Sequence, residues 1–420
     1  MFCSFVLANV EAKEIDFSMM LYTSVDAQDK LLKELTEQFE TETGIKVNYE
    51  FINWAQAREK LTMWSLGGEA PDVADMFWSY TFSDLGGGKY GPMPIEALVG
   101  EYIPDLEERW NPKSLVDVKY KGHLFGVPWR IDLRPTVFRK DFVEEAGLDP
   151  NSLDTWDDLV VWGQKLTQKD AQGKVVRWGV SAVGQYDQFF FPFIWQAGGD
   201  VVNKETWEVT LYSEEGKEAL QFLTDLVHKY NIFPADYVLD PSYNGAAEFI
   251  AGHVAVIPSS PADVRDLVER NAPFLADKIE TQKPLNNKSR VAFQGAGYFG
   301  VLHGAKDVDA AMRWLAFLAR TEVQLELSRV CGQMTPCLPA LEDPYFAEHW
   351  WYSGMIECIP YGRTTQYPHP GWGAVTNPKP GAPLYDMMVN ALGGKMSVDE
   401  ALQRAHKQIE ELLAGFEKEK

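Results

Sequence analysis

The chain has no uninterrupted apolar run of about 18 residues, so no segment of it reads as a membrane-crossing helix. Positive charge is scarce: 39 Lys plus Arg stand against 61 Asp plus Glu, a formal net charge of −22. A surface of that sign repels phosphate backbones and anionic lipid, which excludes nucleic acid and a membrane surface as partners. Cysteine is rare, four in 420 residues, and none has zinc-finger spacing. Cys331 and Cys337 enclose a short turn, which leaves two readings, a bridge in an oxidising compartment or two buried thiols. Cys358 stays unpaired in either. Catalytic signatures are missing too: there is no H-E-x-x-H, no G-x-S-x-G and no Walker loop. The seven histidines are dispersed, none four residues from another. No catalytic residue, metal ligand or cofactor site is therefore assigned.

One glycine pattern is present, Gly295-Ala296-Gly297-Tyr298-Phe299-Gly300 after the strand Val291-Ala292-Phe293. A dinucleotide site needs a helix to open inside such a motif, so that its amides meet the pyrophosphate. Here Tyr298 to Leu302 continues as strand, and the next helix begins only near Val308.

The chain is long enough for two cores, and 45% hydrophobic with 24% charged residues describes a folded protein. Ile15 to Leu21 reads as a strand. Leu31, Leu32, Leu35 and Phe39 share a helical face that Gly44 closes, and Ile45, Val47, Tyr49 and Phe51 alternate as a second strand. Ala57, Leu61 and Trp64 restore helical spacing, and Val73 to Phe77 form a third strand. Such alternation builds a parallel sheet with helices on its faces, with ligands beyond the carboxyl ends of its strands. Three capping boxes are expected further on, at Thr155–Asp158, Thr321–Gln324 and Ser397–Glu400, with Ser213 capping another helix. Aromatics are plentiful, 14 Trp and 17 Tyr, several at strand ends or in loops. A sugar presents C–H faces and a hydroxyl rim, so its site needs flat apolar platforms edged by polar groups.

The segment "FETETGIKVNYEFINWAQAREKLTMWSLGGEAPDVADMFW" resembles the opening lobe of the extracellular solute-binding proteins, family 1, of bacterial ABC importers. "YKGHLFGVPWRIDLRPTVFRKDFVEEAGLDP" is similar to that family's first interlobe crossing, "TWDDLVVWGQKLT" and "PFIWQAGGD" to its second lobe, and "SVDEALQRAHKQIEELL" to its closing helix. The resemblance runs from about Ile15 to Leu413 in the expected order. It implies an α/β chain of the type II periplasmic-binding fold: two lobes, each a central sheet flanked by helices, joined by hinge crossings. Lobe one is expected at 13–129 and 295–332, lobe two at 130–294 and 333–420. Met1 to Ala12 then reads as the remnant of a secretory signal, and Cys3 lacks a lipoprotein context.

The implied function is a soluble, monomeric periplasmic receptor that takes a mono- or oligosaccharide in the interlobe cleft and delivers it to an ABC permease. It implies no catalysis. The same resemblance assigns ligand contacts to Trp78 after the third strand, Trp54 after the second and Trp372 in "PGWGAV". Trp129, Arg130 and Asp132 on the first crossing, Gly297 and Tyr298 on the return, Trp195 in "WQAGGD" and loop residue Arg363 complete the set. One departure stands out: Pro258-Ser259-Ser260-Pro261 replaces a Gly-x-Trp-like signature, removing a stacking ring and placing hydroxyls there. Arg130, Arg134, Arg139 and Arg363 keep an acidic or phosphorylated ligand open. A metal-ion receptor on the same fold and a secreted glycan-active enzyme with two carboxylates across a cleft are the alternatives.

Overall fold

The computed structural model describes residues 13–67, 70–77, 91–184, 186–365, 367, 369 and 371–417. These residues form two compact units. The first takes in the described residues up to Arg130 together with Gly297–Leu341; the second takes in Ile131–Ala296 and the described residues from Glu342 onward.

The first unit opens as the alternating pattern requires. Strand β1 (Glu14–Met20), helix α1 (Val25–Thr43), strand β2 (Lys46–Ile52), helix α2 (Trp54–Gly67) and strand β3 (Val73–Phe77) follow in order. β1 lies between β2 and β3, parallel to both. Ser24 caps α1 by accepting from the Ala27 amide, and Gly44 ends it at φ 72°, where a Cβ would be strained. Between those stops Leu31, Leu32, Leu35 and Phe39 are buried, and Phe39 meets Trp314 edge-on at 5.0 Å. The outer side of β3 is closed by an antiparallel partner from far along the chain, with Gly297 opposite Phe77 and Val301 opposite Val73. The unit keeps the chain through Leu341, past the expected 332, because Trp110 bridges Cys337 and the Asn111 amide donates to the Pro336 carbonyl at 2.9 Å.

The second unit holds a five-stranded sheet in the order Ile279–Gln282, Thr136–Arg139, Val254–Ile257, Val175–Val180, Gln168–Lys169. Val254–Ile257 runs antiparallel to Thr136–Arg139 and parallel to Val175–Val180. Helix Trp156–Leu166 starts at a complete capping box, Thr155 with Asp158, and packs on the sheet with Gly163 against Gly179. Helix Glu214–His228 is capped by Ser213, and helix Val398–Glu417 by the box Ser397–Glu400.

One expectation is corrected, and the open choice at the cysteines is decided. Thr321 does not cap its helix: Arg320 holds that position without a side-chain bond. Gln324 is turned inward instead, donating to the Leu318 carbonyl at 2.8 Å and accepting from Thr335 at 2.6 Å, so it cannot reach back to the helix start. Cys331 and Cys337 form no bridge with each other; both are buried, as is Cys358. The Gly295–Gly300 motif lies wholly inside the strand Ala292–Val301, so no helix N-terminus faces it.

Candidate functional site

In the first unit, polar groups converge at the carboxyl ends of the parallel strands. Tyr22 follows β1, Trp54 follows β2, and Asp75 lies in β3. Asp75 is 1% exposed and is fully engaged. Its Oδ1 accepts from the Trp129 indole at 2.9 Å, and its Oδ2 from the Tyr22 hydroxyl at 2.8 Å and the Met20 amide at 3.2 Å. Burial pushes its carboxyl up to about 6, against the opposing pull of the Arg130 charge and the hydrogen bonds from Trp129 and Tyr22. Burial likewise holds the Tyr22 phenol well above its ordinary value, so Tyr22 stays a donor to Asp75.

Arg130 joins this network from outside the carboxylate. Its Nε donates to the Tyr22 hydroxyl at 2.9 Å, and its guanidinium lies over the rings of Tyr22 at 5.3 Å and Trp54 at 5.2 Å. Gly297 makes room for it: a Cβ there would meet Arg130 Cγ at 2.8 Å and its Nε closer still. The close approach at this glycine is therefore to an arginine of the same unit. Trp54 is 43% exposed and meets Tyr22 edge-on at 5.5 Å, so it presents a ring held in place on one side. Such a ring is what a sugar face packs against.

The other expected aromatics are placed differently. Trp129 is 1% exposed and stacks on Phe299 at 5.2 Å, so it supports Asp75 and offers no free face. Tyr298 is fully buried in the first unit, its ring lying against Gly126. Trp78 lies outside the described residues.

In the second unit Trp195 and Arg363 meet at Asp200, and Trp372 joins them through Tyr367. Asp200 accepts from the Trp195 indole at 3.1 Å, from Tyr367 at 2.7 Å and from Arg363, whose guanidinium lies over the Trp195 ring at 4.8 Å. Tyr367 in turn stacks on Trp372 at 4.5 Å. Trp372 is 1% exposed and its indole donates to the Thr365 carbonyl at 2.7 Å. Its ring belongs to the core of the second unit and does not stand in a loop. Arg363 is likewise committed to a carboxylate. Asp132 pairs with Arg134 at 3.0 Å, and Arg139 with Asp141 at 2.6 Å. The hydroxyls expected at Ser259 and Ser260 are buried: Ser260 is 0% exposed, and the Ser259 Oγ has no solvent contact.

What the second unit does open to solvent is a cavity of about 540 Å³ that the sequence did not announce. Its walls include Tyr186, Tyr237, Tyr243 and Tyr385, edged by Asp240, Asp263 and Asn244. The Tyr186 ring stands 5.1 Å from that of Tyr237 and 5.0 Å from that of Tyr385. The volume falls within the range of small-molecule sites, roughly 300–1,000 Å³, and the lining sets Asp240, Ser242, Asn244 and Asp263 among the four tyrosines. Among the described residues no group of three His, Cys, Asp or Glu is arranged to hold a metal ion.

Two α/β units, each with a parallel-containing sheet, and polar clusters at strand ends define the architecture of type II periplasmic binding proteins. Solved structures agree on the fold. A substrate-binding protein from Listeria monocytogenes, in complex with cycloalternan, superposes with a TM-score of 0.79 at 21% identity, covering 96% of this chain and 100% of that one. A solute-binding protein from Thermotoga lettingae, bound with α-D-tagatose, gives 0.78 at 20% over 96% and 100%. The family model of the bacterial extracellular solute-binding proteins matches residues 23–325, and the chain belongs to that family. Among curated relatives, an arabinooligosaccharide-binding protein of Halalkalibacterium halodurans is 26% identical over 348 residues, 80% of this chain and 74% of that protein. No helix of the described residues is long and apolar enough to cross a membrane.

Proposed function

We propose that this protein is the substrate-binding receptor of a bacterial ABC importer, soluble in the periplasm, and that its solute is a carbohydrate. The observation that carries this reading is the exposed Trp54 ring, braced by Tyr22 and by the Arg130 guanidinium at 5.2 Å, at the carboxyl end of a parallel sheet. A rigid aromatic face beside fixed hydrogen-bonding groups matches the two-sided chemistry of a sugar ring. The tyrosine-walled cavity of the second unit supports the same solute class, and so do relatives and structural neighbours that carry sugars. The receptor hands its ligand to a permease and performs no chemistry on it. Of the four arginines that kept an acidic or phosphorylated ligand open, Arg134, Arg139 and Arg363 each face a carboxylate, which leaves Arg130 beside Trp54.

A thermal-shift screen over mono- and oligosaccharides tests the reading, since a ligand that binds only the folded state raises the melting temperature. Trp54→Ala is expected to weaken binding of the best sugar by about 2 kcal/mol, some thirtyfold, as at other aromatic hot spots. Its unliganded melting temperature should hardly move, because the ring is 43% exposed. Unchanged affinity would remove Trp54 from the site. Prolonged incubation should return the sugar unmodified, and recovery of a cleaved or oxidised product would revive the enzyme reading.

A further inference from the structure

The cavity of the second unit has a charge character that the carbohydrate reading does not specify. Asp240 and Asp263 line it, and its described lining includes no lysine or arginine. Asp240 Oδ1 accepts from the Ser242 amide at 2.8 Å and hydroxyl at 2.7 Å, and these bonds hold its carboxyl below the usual range. It is ionised at neutral pH. Asp263 opens the helix Asp263–Asn271; burial raises its carboxyl above the ordinary value, with the Arg134 charge opposing, and among the described residues it accepts no hydrogen bond and joins no ion pair.

The two guanidinium charges that reach it, Arg134 and Arg270, each face another carboxylate, Asp132 and Asp266. Arg134 donates to Asp132 at 3.0 Å and to Gln188 at 2.7 Å, and lies over the Phe293 ring at 4.1 Å. Its charge is matched by Asp132. The cavity thus joins two carboxylates that form no ion pair among the described residues to the rings of Tyr186, Tyr237, Tyr243 and Tyr385. Aromatic faces carry negative quadrupole density, so rings and carboxylates act in the same direction: both stabilise a cation and both repel an anion.

We propose that this cavity sorts saccharides by charge, taking a sugar that bears a protonated amine ahead of its neutral counterpart and excluding uronates and sugar phosphates. The proposal rests on the carbohydrate reading above. Asp263 supplies the ammonium with a charge-assisted hydrogen bond, and the tyrosines supply the flat wall that any sugar ring needs. A charge-assisted bond of this kind is worth about tenfold in affinity.

The test uses matched probes on the full chain: the neutral, 2-amino and 6-carboxylate forms of glucose and galactose, and of their α- and β-linked disaccharides. Melting temperature and calorimetric affinity are read for each set at pH 7 and low salt. In every set that binds, the amine form should bind about tenfold more tightly than the neutral form, and the carboxylate form more weakly than either. Asp263→Asn should leave the unliganded melting temperature in place and cut the amine advantage severalfold, leaving the share that Asp240 and the rings supply. Equal affinities across a binding set, or an amine advantage undiminished by Asp263→Asn, would overturn the charge assignment and leave the carbohydrate reading standing. Absence of binding by every set and by every sugar of the wider thermal-shift screen would overturn the carbohydrate reading itself.

Discussion

The Asp187→Asn protein is expected to be more stable than wild type at pH 8, by on the order of 3 kcal/mol, and to lose that advantage near pH 4. Asp187 sits in the first turn of the helix Tyr186–Gln196 and is 5% exposed, and its Oδ1 has no hydrogen-bond partner among the described residues. Burial pushes its carboxyl up from 3.8 to about 7, with backbone bonds and the Arg134 charge only partly opposing. The folded state therefore holds this proton more tightly than the unfolded chain does. The associated stability is full below about pH 4 and is lost as pH rises through about 7. Asparagine keeps the shape and removes the charge, so it should flatten that slope. Asp75, raised to about 6, adds a second contribution of the same sign over a narrower window. Denaturant unfolding of both proteins at pH 4 and pH 8 measures the effect. A stability difference that is the same at both values would show that Asp187 does not carry the slope.

A second large effect is expected at Gly179, in the strand Val175–Val180. A Cβ there would stand 2.5 Å from Gly163 Cα, with the Gly163 carbonyl oxygen closer still. Both are backbone atoms of the helix Trp156–Leu166, so no rotamer change relieves the contact. The whole helix must move off the sheet, and overpacking of this kind costs about 3 kcal/mol. Gly179→Ala should lower the unfolding midpoint accordingly. Gly100→Ala is the control: nothing lies within 4 Å of its Cβ and it sits inside the helix Glu96–Tyr102, so alanine should stabilise by up to about 1 kcal/mol. Equal midpoints for the two variants would refute the close packing of helix on sheet.

Much of the fold was legible because it is written locally. Gly44, Ser213 and the boxes at Thr155 and Ser397 are read from a few neighbouring residues, and each falls where the spacing puts it. The box at Thr321 failed because a tertiary partner, Thr335, outcompetes the local one for Gln324. The site was less legible for the same reason. Trp129, Trp195 and Trp372 were expected to face a ligand, yet a large indole with one N–H donor is equally suited to internal support: those of Trp129 and Trp195 donate to Asp75 and Asp200, and that of Trp372 to the Thr365 carbonyl. Asp75 did leave a signal, a carboxylate inside the apolar strand Val73–Phe77, which demands buried partners. Tyr186, Tyr237, Tyr243 and Tyr385 left none, since they come together from separate stretches of chain.

The first unit is not finished when its opening strands are made. The Lys306 amide donates to Asp72 at 2.6 Å across 234 residues, and the antiparallel neighbour of β3 arrives from the same distant stretch. During synthesis from the amino end, β3 therefore waits with one edge unpaired while the entire middle of the chain is made. Contacts of such long range are slow to form, because a large loop must close before they contribute. The nascent chain consequently spends most of its synthesis without a closed first unit. In that interval it remains open to any factor that recognises extended polypeptide, and equally to edge-to-edge association with another copy.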